Sequence, residues 1–259
     1  MSPLGVGGLL LGPDTVPFNP LSLSPVLWVN GRAGILTNDF GVNEWEDQSG
    51  NGNNYTQTGV SGDPYPSVGT LNGFTALVFA ASSSQTLANT TTFTALSAFT
   101  MFAVWQYTGM TDYNAGTYYV TPTVLSFSPS FVNGIGAGID SGDTTRMTTF
   151  TGVFTESPNT QEQIAASSAS GTVTDPHQSY HAYDGSHLYA SIDGGTVSSL
   201  SVGSTLTDGA FPQGNIGLNN LSDSSFWNGS IGEIMVFDTF LNDTDISNVQ
   251  AYLNTQWGL

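Results

Sequence analysis

Apolar and polar positions alternate in short runs along most of this chain, and the runs are separated by clusters of Gly, Asn, Asp, Ser and Pro. That pattern predicts many short β-strands joined by turns. In the run Phe99-Thr-Met-Phe-Ala-Val-Trp-Gln-Tyr107, residues Phe99, Met101, Ala103, Trp105 and Tyr107 share one face while Phe102 and Val104 occupy the other. A strand that is apolar on both faces belongs at the centre of a sheet covered on both sides. Leu188-Tyr-Ala-Ser-Ile192 is a second run. The Asp193-Gly194-Gly195 that follows accepts the positive φ angles of a tight hairpin, so the chain is expected to turn back there into Thr196-Val197. A third run, Ser230 to Phe237, sets Ile231, Met235 and Phe237 against Ile234 and Val236, and Glu233 within it is expected to be a partly exposed side chain.

Near the C-terminus the period changes from two to between three and four. Ile246, Val249, Leu253 and Trp257 recur at helical spacing, Asn242 stands where an N-cap belongs, and Asp243 and Asp245 fall in the first turn, where the helix dipole favours negative charge. Gly258 then closes a single C-terminal helix. At the other end, residues 1–22 contain Pro3, Pro13, Pro17 and Pro20 among many glycines, which excludes a helix and predicts an extended arm. Its apolar residues Leu4, Leu9, Leu10, Leu11 and Phe18 need a surface, and the expectation is that they dock on another chain. The domain proper then runs over residues 23–259, with Trp28, Trp45, Trp105 and Trp257 in its core.

Charge narrows the functions available. The chain has no lysine, two arginines (Arg32 and Arg146) and twenty Asp and Glu, for a formal charge of −18. Binding to nucleic acid needs clustered cations, and an anionic membrane surface would repel this chain, so both are excluded as partners. Only 8% of the residues are charged, so the surface must be coated mainly with uncharged hydrogen-bonding groups. Without cysteine there is neither a disulfide nor a thiolate metal site. The opening apolar stretch is broken by glycines and lacks a basic flank, which predicts neither a signal peptide nor a membrane span.

Several stretches together carry a resemblance. Leu27-Trp28 is followed by Trp45-Glu46-Asp47-Gln48-Ser49-Gly50-Asn51-Gly52-Asn53, then by Ser97-Ala98-Phe99-Thr100-Met101-Phe102-Ala103-Val104 and by Leu188 to Gly194. The close is Ile216-Gly217, Phe226-Trp227-Asn228-Gly229-Ser230-Ile231-Gly232-Glu233-Ile234 and Tyr252-Leu253-Asn254-Thr255-Gln256-Trp257-Gly258. In this order they resemble the laminin G-like jelly roll of the concanavalin A-like superfamily, of the kind found in bacteriophage virion proteins. The resemblance implies an all-β jelly-roll sandwich of two antiparallel sheets with one short C-terminal helix. Such domains serve as sugar-binding modules, adhesins, parts of enzymes and virion proteins, so fold alone does not assign a function.

Candidate chemistry is sparse. The Glu-x-Asp-x-x-Glu strand of related glucanases does not occur, nor does the Gly-x-Ser-x-Gly elbow of serine hydrolases, and no catalytic residue is nominated. The cluster Glu44-Trp45-Glu46-Asp47 leads into a turn in which Asp47 and Ser49 bond neighbouring amides, a structural role. His177, His181 and His187 lie close in sequence to Asp175 and Asp184, but in a loop-and-strand segment His177 and His181 need not share a face, and ordinary surface or hydrogen-bonded histidines are expected rather than a metal pair. Asp112, Asp140 and Asp143 offer the hard oxygens that calcium takes in laminin G-like domains; no cofactor is required, and calcium is the metal to expect if one is held. Tyr113, Tyr118, Tyr119 and Tyr183 lie in or beside loops where their rings can stack on sugars, with Tyr180 and Tyr189 nearby. The sequence therefore favours a non-enzymatic virion structural protein, a capsid decoration, head-fibre or tail-associated subunit, partnered by other virion subunits or itself. A carbohydrate-binding module or adhesin acting on polysaccharide outside the cell is the alternative, and a glycoside hydrolase-like enzyme the third reading.

Overall fold

A computed structural model of the chain describes residues 17–57, 64–89, 97–108, 123–127, 134–139, 148–154, 161–167, 174–201, 214–219 and 225–259. Of the strands between 123 and 167, and of residues 218, 219 and 225, only the backbone is described. In chain order the strands are β1 (Leu27–Asn30), β2 (Ile35–Asn38), β3 (Gly41–Trp45), β4 (Tyr55–Thr56), β5 (Ser67–Leu71) and β6 (Phe74–Phe79). Next come β7 (Leu87–Asn89), β8 (Phe99–Tyr107), β9 (Thr123–Phe127), β10 (Gly134–Ile139), β11 (Thr148–Phe154) and β12 (Gln161–Ser167). The last are β13 (His177–Tyr183), β14 (His187–Ile192), β15 (Ser198–Ser201), β16 (Gly214–Ile216), β17 (Leu218–Asn219), β18 (Ser225–Phe226) and β19 (Gly229–Phe237), before helix α1 (Asp243–Trp257).

These form two antiparallel sheets. The first runs β15-β14-β13-β8-β19-β6-β5, with β1 also paired to β19; the second runs β12-β11-β10-β9-β16-β7-β4-β3-β2, and β17 pairs with β18 apart from both. The expected central strand is β8, flanked by β13 and β19, with only Gln106 of its nine residues outside the buried class. Its two apolar faces feed two layers. Phe99, Met101, Ala103 and Trp105 pack with Val42, Trp45, Tyr55, Leu87 and Ile216 between the sheets, whereas Phe102 and Val104 face outward to Tyr180, Phe237 and the helix residues Val249, Leu253 and Trp257. The second layer exists because α1 covers the outer face of the first sheet.

That helix is fixed at both ends. The Asn242 side chain accepts hydrogen bonds from the amides of Thr244 and Asp245, both at 3.0 Å, and Gly258 closes it at φ 65°. Gly232 lies directly beneath: a Cβ there would stand 2.8 Å from the Trp257 ring, so only glycine lets the helix sit this close. Gly232 also belongs to a bulge in β19, between Ile231 and Glu233. The extra residue reverses the alternation, so Ile231 packs in the inner layer with Ile234 and Val236 while Met235 and Phe237 face the helix. The regular alternation expected across this strand therefore fails at Ile231.

The tight turn after β14 is present, with positive φ at Asp193 (53°) and Gly194 (66°), though the returning strand starts at Ser198 rather than Thr196. Trp45, Trp105 and Trp257 are buried as expected; Trp28 is only partly so, and Trp227 belongs to the core as well. The chain joins the domain earlier than expected. Pro20 is buried in a 3-10 turn, Pro20–Leu23, capped by the Asn19 side chain. Phe18 packs edge-on against Tyr252 at 6.3 Å, so its ring rests on this domain's own helix. Leu4, Leu9, Leu10 and Leu11 lie outside the described residues. Among the described residues no helix is long and apolar enough to cross a membrane.

Candidate functional site

The polar side chains that look most chemical in the sequence turn out to hold the fold. Glu233, expected to be partly exposed, is completely buried. Trp28 Nε1 donates to its Oε1 and Trp257 Nε1 to its Oε2, both at 2.6 Å, and the Tyr252 hydroxyl donates at 3.4 Å. Burial raises this carboxyl from 4.5 to about 7, against the opposing pull of the bonds from Trp257, Trp28, Asn30 and Tyr252. Asp47 acts within its turn as the sequence suggests. Its oxygens accept from the amides of Trp28, Ser49 and Asn53 and from the Ser49 hydroxyl, at 2.7–3.0 Å.

The histidines are likewise engaged. His177 and His181 share a face of β13, and both are buried. His177 Nδ1 meets Asp193 Oδ2 at 2.8 Å, and His181 Nε2 meets the Ser179 hydroxyl at 2.9 Å, which also accepts from Trp105 Nε1 at 3.0 Å. His187 stands apart on β14. No group of three His, Asp or Glu side chains placed to hold a metal occurs among the described residues.

A second carboxylate hub sits at the β13–β14 turn. Asp184 Oδ1 accepts from the amides of Ser186 and His187, both at 2.7 Å, and its Oδ2 accepts from the Tyr189 hydroxyl at 2.7 Å. Partial burial alone would raise its pKa, but the bonds from Tyr189, His187 and Ser186 outweigh it and hold the group well below the usual carboxylate range. Tyr189 is thereby pinned, its ring 5.0 Å from that of Phe240.

Of the tyrosines proposed as sugar contacts, Tyr183 is buried in the inner layer, its ring 6.3 Å from that of Phe99, because β13 continues through it and the turn begins only at Asp184. Its ring cannot meet a ligand there, which corrects that assignment. Tyr113, Tyr118 and Tyr119, with Asp112, Asp140 and Asp143, lie outside the described residues.

The structure instead brings forward a pair that sequence reasoning missed. Among the described residues Phe40 is the most exposed large apolar side chain, at 78%. It projects from the two-residue loop between β2 and β3, where Asn38 pairs with Gly41. Its ring lies 5.9 Å from that of Tyr65 at an interplanar angle of 31°. The contact follows from the local backbone. Gly41 has φ 138°, and a Cβ there would stand 2.6 Å from Pro66 O and 2.8 Å from Tyr65 Cβ, so glycine lets the hairpin press against the Tyr65-Pro66 segment. The Val42 amide then donates to Pro66 O at 2.8 Å.

The tip is held on every side. Phe40 N donates to Asn38 Oδ1 at 2.9 Å, Gln85 Nε2 to Tyr65 O at 2.6 Å and Gln57 Nε2 to Pro64 O at 3.0 Å. Asn38, Asp39 and Asn43 of the same hairpin are exposed, and the Asn38 amide donates to Asn43 Oδ1 at 3.3 Å. The sequence signal was available: in Asn38-Asp39-Phe40-Gly41 a bulky apolar residue occupies a turn position where small or polar ones are usual.

No protein-family model and no curated protein matches this chain. Solved structures do. The binding domain of botulinum neurotoxin serotype G superposes with a TM-score of 0.63 at 13% identity, over 89% of this chain and 51% of that one. The chain shares this β-sandwich fold. Domain 4 of AbnA, an extracellular arabinanase from Geobacillus stearothermophilus solved with arabinotriose, gives 0.60 at 12% identity, over 88% of this chain and 98% of that domain. The binding domain of paraclostridial mosquitocidal protein 1 gives 0.60 at 10% identity, over 90% and 53%. This chain spans about half the length of the toxin binding domains. At these identities the likeness establishes the all-β sandwich and nothing finer.

Proposed function

We propose that this chain is a non-catalytic carbohydrate-binding module whose ligand stacks on the Phe40–Tyr65 pair. The observation that carries the proposal is an aromatic side chain 78% exposed on a hairpin tip that its own hydrogen bonds immobilise. A ring left in water without a partner costs solvation, whereas the C–H faces of a sugar cover it favourably, and adjoining amides supply the directional bonds that orient hydroxyls. A tip already ordered loses little conformational entropy on binding. The fold supports the reading: AbnA domain 4, with a sandwich of the same kind, was solved with arabinotriose bound, and the toxin domains are named for binding. The buried carboxyl of Glu233 and the half-buried one of Asp47 serve as acceptors for the protein's own donors, an arrangement suited to structure rather than to acid–base work at a glycosidic bond. The reading as a virion subunit draws on the sequence alone, and none of these likenesses supports it.

A glycan array probed with the purified chain tests the proposal. The expected result is binding to at least one saccharide class that Phe40→Ala weakens about three- to tenfold, the range for a ring–ring-sized contact. Equal array binding by the two proteins removes the pair from the account.

A further inference from the structure

We infer that the saccharide taken at the Phe40–Tyr65 tip is a neutral one, a polymer of uncharged pentoses or hexoses, and that sialylated, uronic and sulfated glycans are rejected. This rests on the carbohydrate-binding reading above and specifies its ligand class. Recognition of a sugar carboxylate or sulfate relies on arginine or lysine donors. The chain has two arginines and no lysine. Arg32 is committed elsewhere: its Nη1 donates to Gln256 O at 2.9 Å and to Gln256 Oε1 at 3.0 Å, and its guanidinium lies 4.8 Å above the Phe74 ring. Arg146 alone would have to serve every anionic ligand.

The charge at the tip points the same way. Asp39 is exposed and directly precedes Phe40 in the loop. At physiological salt the screening length is about 8 Å, so an anion held at this loop would be repelled by the neighbouring carboxylate, on a chain with net charge −18. Toward an uncharged sugar the same carboxylate is an asset, since it accepts hydrogen bonds from hydroxyls. Beside it are exposed Asn38 and Asn43, amides that both donate and accept. Two aromatic rings, one carboxylate and two amides thus match the hydroxyls and C–H faces of a neutral glycan, and they include no cation to pair with an anionic group.

A competing occupant is a second copy of this chain. Leu36 and Val68, 44% and 49% exposed, lie on β2 and β5, which end their respective sheets, and unpaired sheet edges invite self-association. Polar neighbours and the adjacent carboxylate favour the sugar, because two identical tips meeting across a symmetry axis would set two Asp39 side chains against each other.

Affinity electrophoresis in native gels decides the matter. The gels contain arabinan, galactomannan or hydroxyethylcellulose as neutral polymers, and polygalacturonate or dextran sulfate as anionic ones. They are run with wild type, Phe40→Ala and Tyr65→Ala, alongside sedimentation velocity. The expected result is retardation by at least one neutral polymer, weakened at least threefold by either substitution, with none by the anionic polymers. Retardation by an anionic polymer that Phe40→Ala abolishes overturns neutrality while leaving the site in place. Retardation that neither substitution alters overturns the site, and no retardation in any gel overturns the binding reading and this inference with it. Self-association that Phe40→Ala abolishes hands the tip to a second copy of the chain. Melting temperatures equal to wild type establish that the variants are folded.

Discussion

Two groups of aromatic residues in this protein do opposite things. Beneath α1, Trp28, Trp257 and Tyr252 surround Glu233, each polar edge turned inward to the carboxylate. At the β2–β3 tip, Phe40 stands out in solvent against a half-buried Tyr65, and the surrounding hydrogen bonds fix their backbone. The first group is rich in chemistry and closes its carboxylate off from solvent; the second has almost no chemistry and holds Phe40 open to it. The difference teaches that a perturbed acid in this fold marks a structural joint, since the donors raising interest in Glu233 also fill the space a substrate would need. Accessibility, not reactivity, distinguishes the surface that can bind.

The largest effect expected from breaking the first group is that of Trp257→Ala. It removes a fully buried ring, opens the space over Gly232 and strips one donor from Glu233, and should cost roughly 3–5 kcal/mol in denaturant unfolding. A cost under about 1 kcal/mol would mean that α1 is not anchored by this ring.

Next comes the pH dependence of Glu233. Its folded pKa is raised from 4.5 to about 7, so its contribution to stability is complete below about pH 4.5 and lost as the pH rises through 7. At about 1.4 kcal/mol per unit, the loss across that window is roughly 3 kcal/mol. Melting temperature should therefore fall between pH 5 and pH 8 in wild type and change distinctly less in Glu233→Gln, whose side chain cannot ionise. Parallel pH profiles would show that the carboxyl is already ionised throughout that range.

How far the sequence reached depends on how local each signal was. The central strand Phe99–Tyr107, the Asp193-Gly194 turn and the caps Asn242 and Gly258 are written within a few residues of where they act, and all are legible. Glu233 is not, because a charged residue in an apolar strand reads as solvent-facing unless its donors are known, and Trp28 is 205 positions away. The β19 bulge evades a period-two count for a similar reason: one extra residue at Gly232 changes the phase of everything before it. Tyr183 reads as a loop residue because β13 extends a little further than its composition suggests. Phe18 looked unpartnered because its partner, Tyr252, lies on the last helix. Phe40, by contrast, sat in a readable turn, but a strand-by-strand search for cores passes over residues that belong to none.

A smaller effect should separate Asp184 from Glu233. Asp184 has a lowered folded pKa, so its contribution is present above the ordinary Asp value and lost as the pH falls through the folded one, the reverse of Glu233. Asp184→Asn should cost about 1.5–3 kcal/mol near neutral pH by weakening the bonds from Tyr189, Ser186 and His187, with the difference from wild type shrinking in acid. A difference that instead grows below pH 4 would contradict this account of the turn.

The smallest stability effect belongs to Phe40, and it carries the central claim. Phe40→Ala removes a side chain that is 78% exposed, so unfolding free energy should stay within about 0.5 kcal/mol of wild type. Isothermal titration of wild type and Phe40→Ala with a neutral oligosaccharide found on the array, next to their melting curves, is the direct measurement. The account predicts matching melting curves with affinity lowered about three- to tenfold in the variant; matching melting curves with unchanged affinity would contradict it.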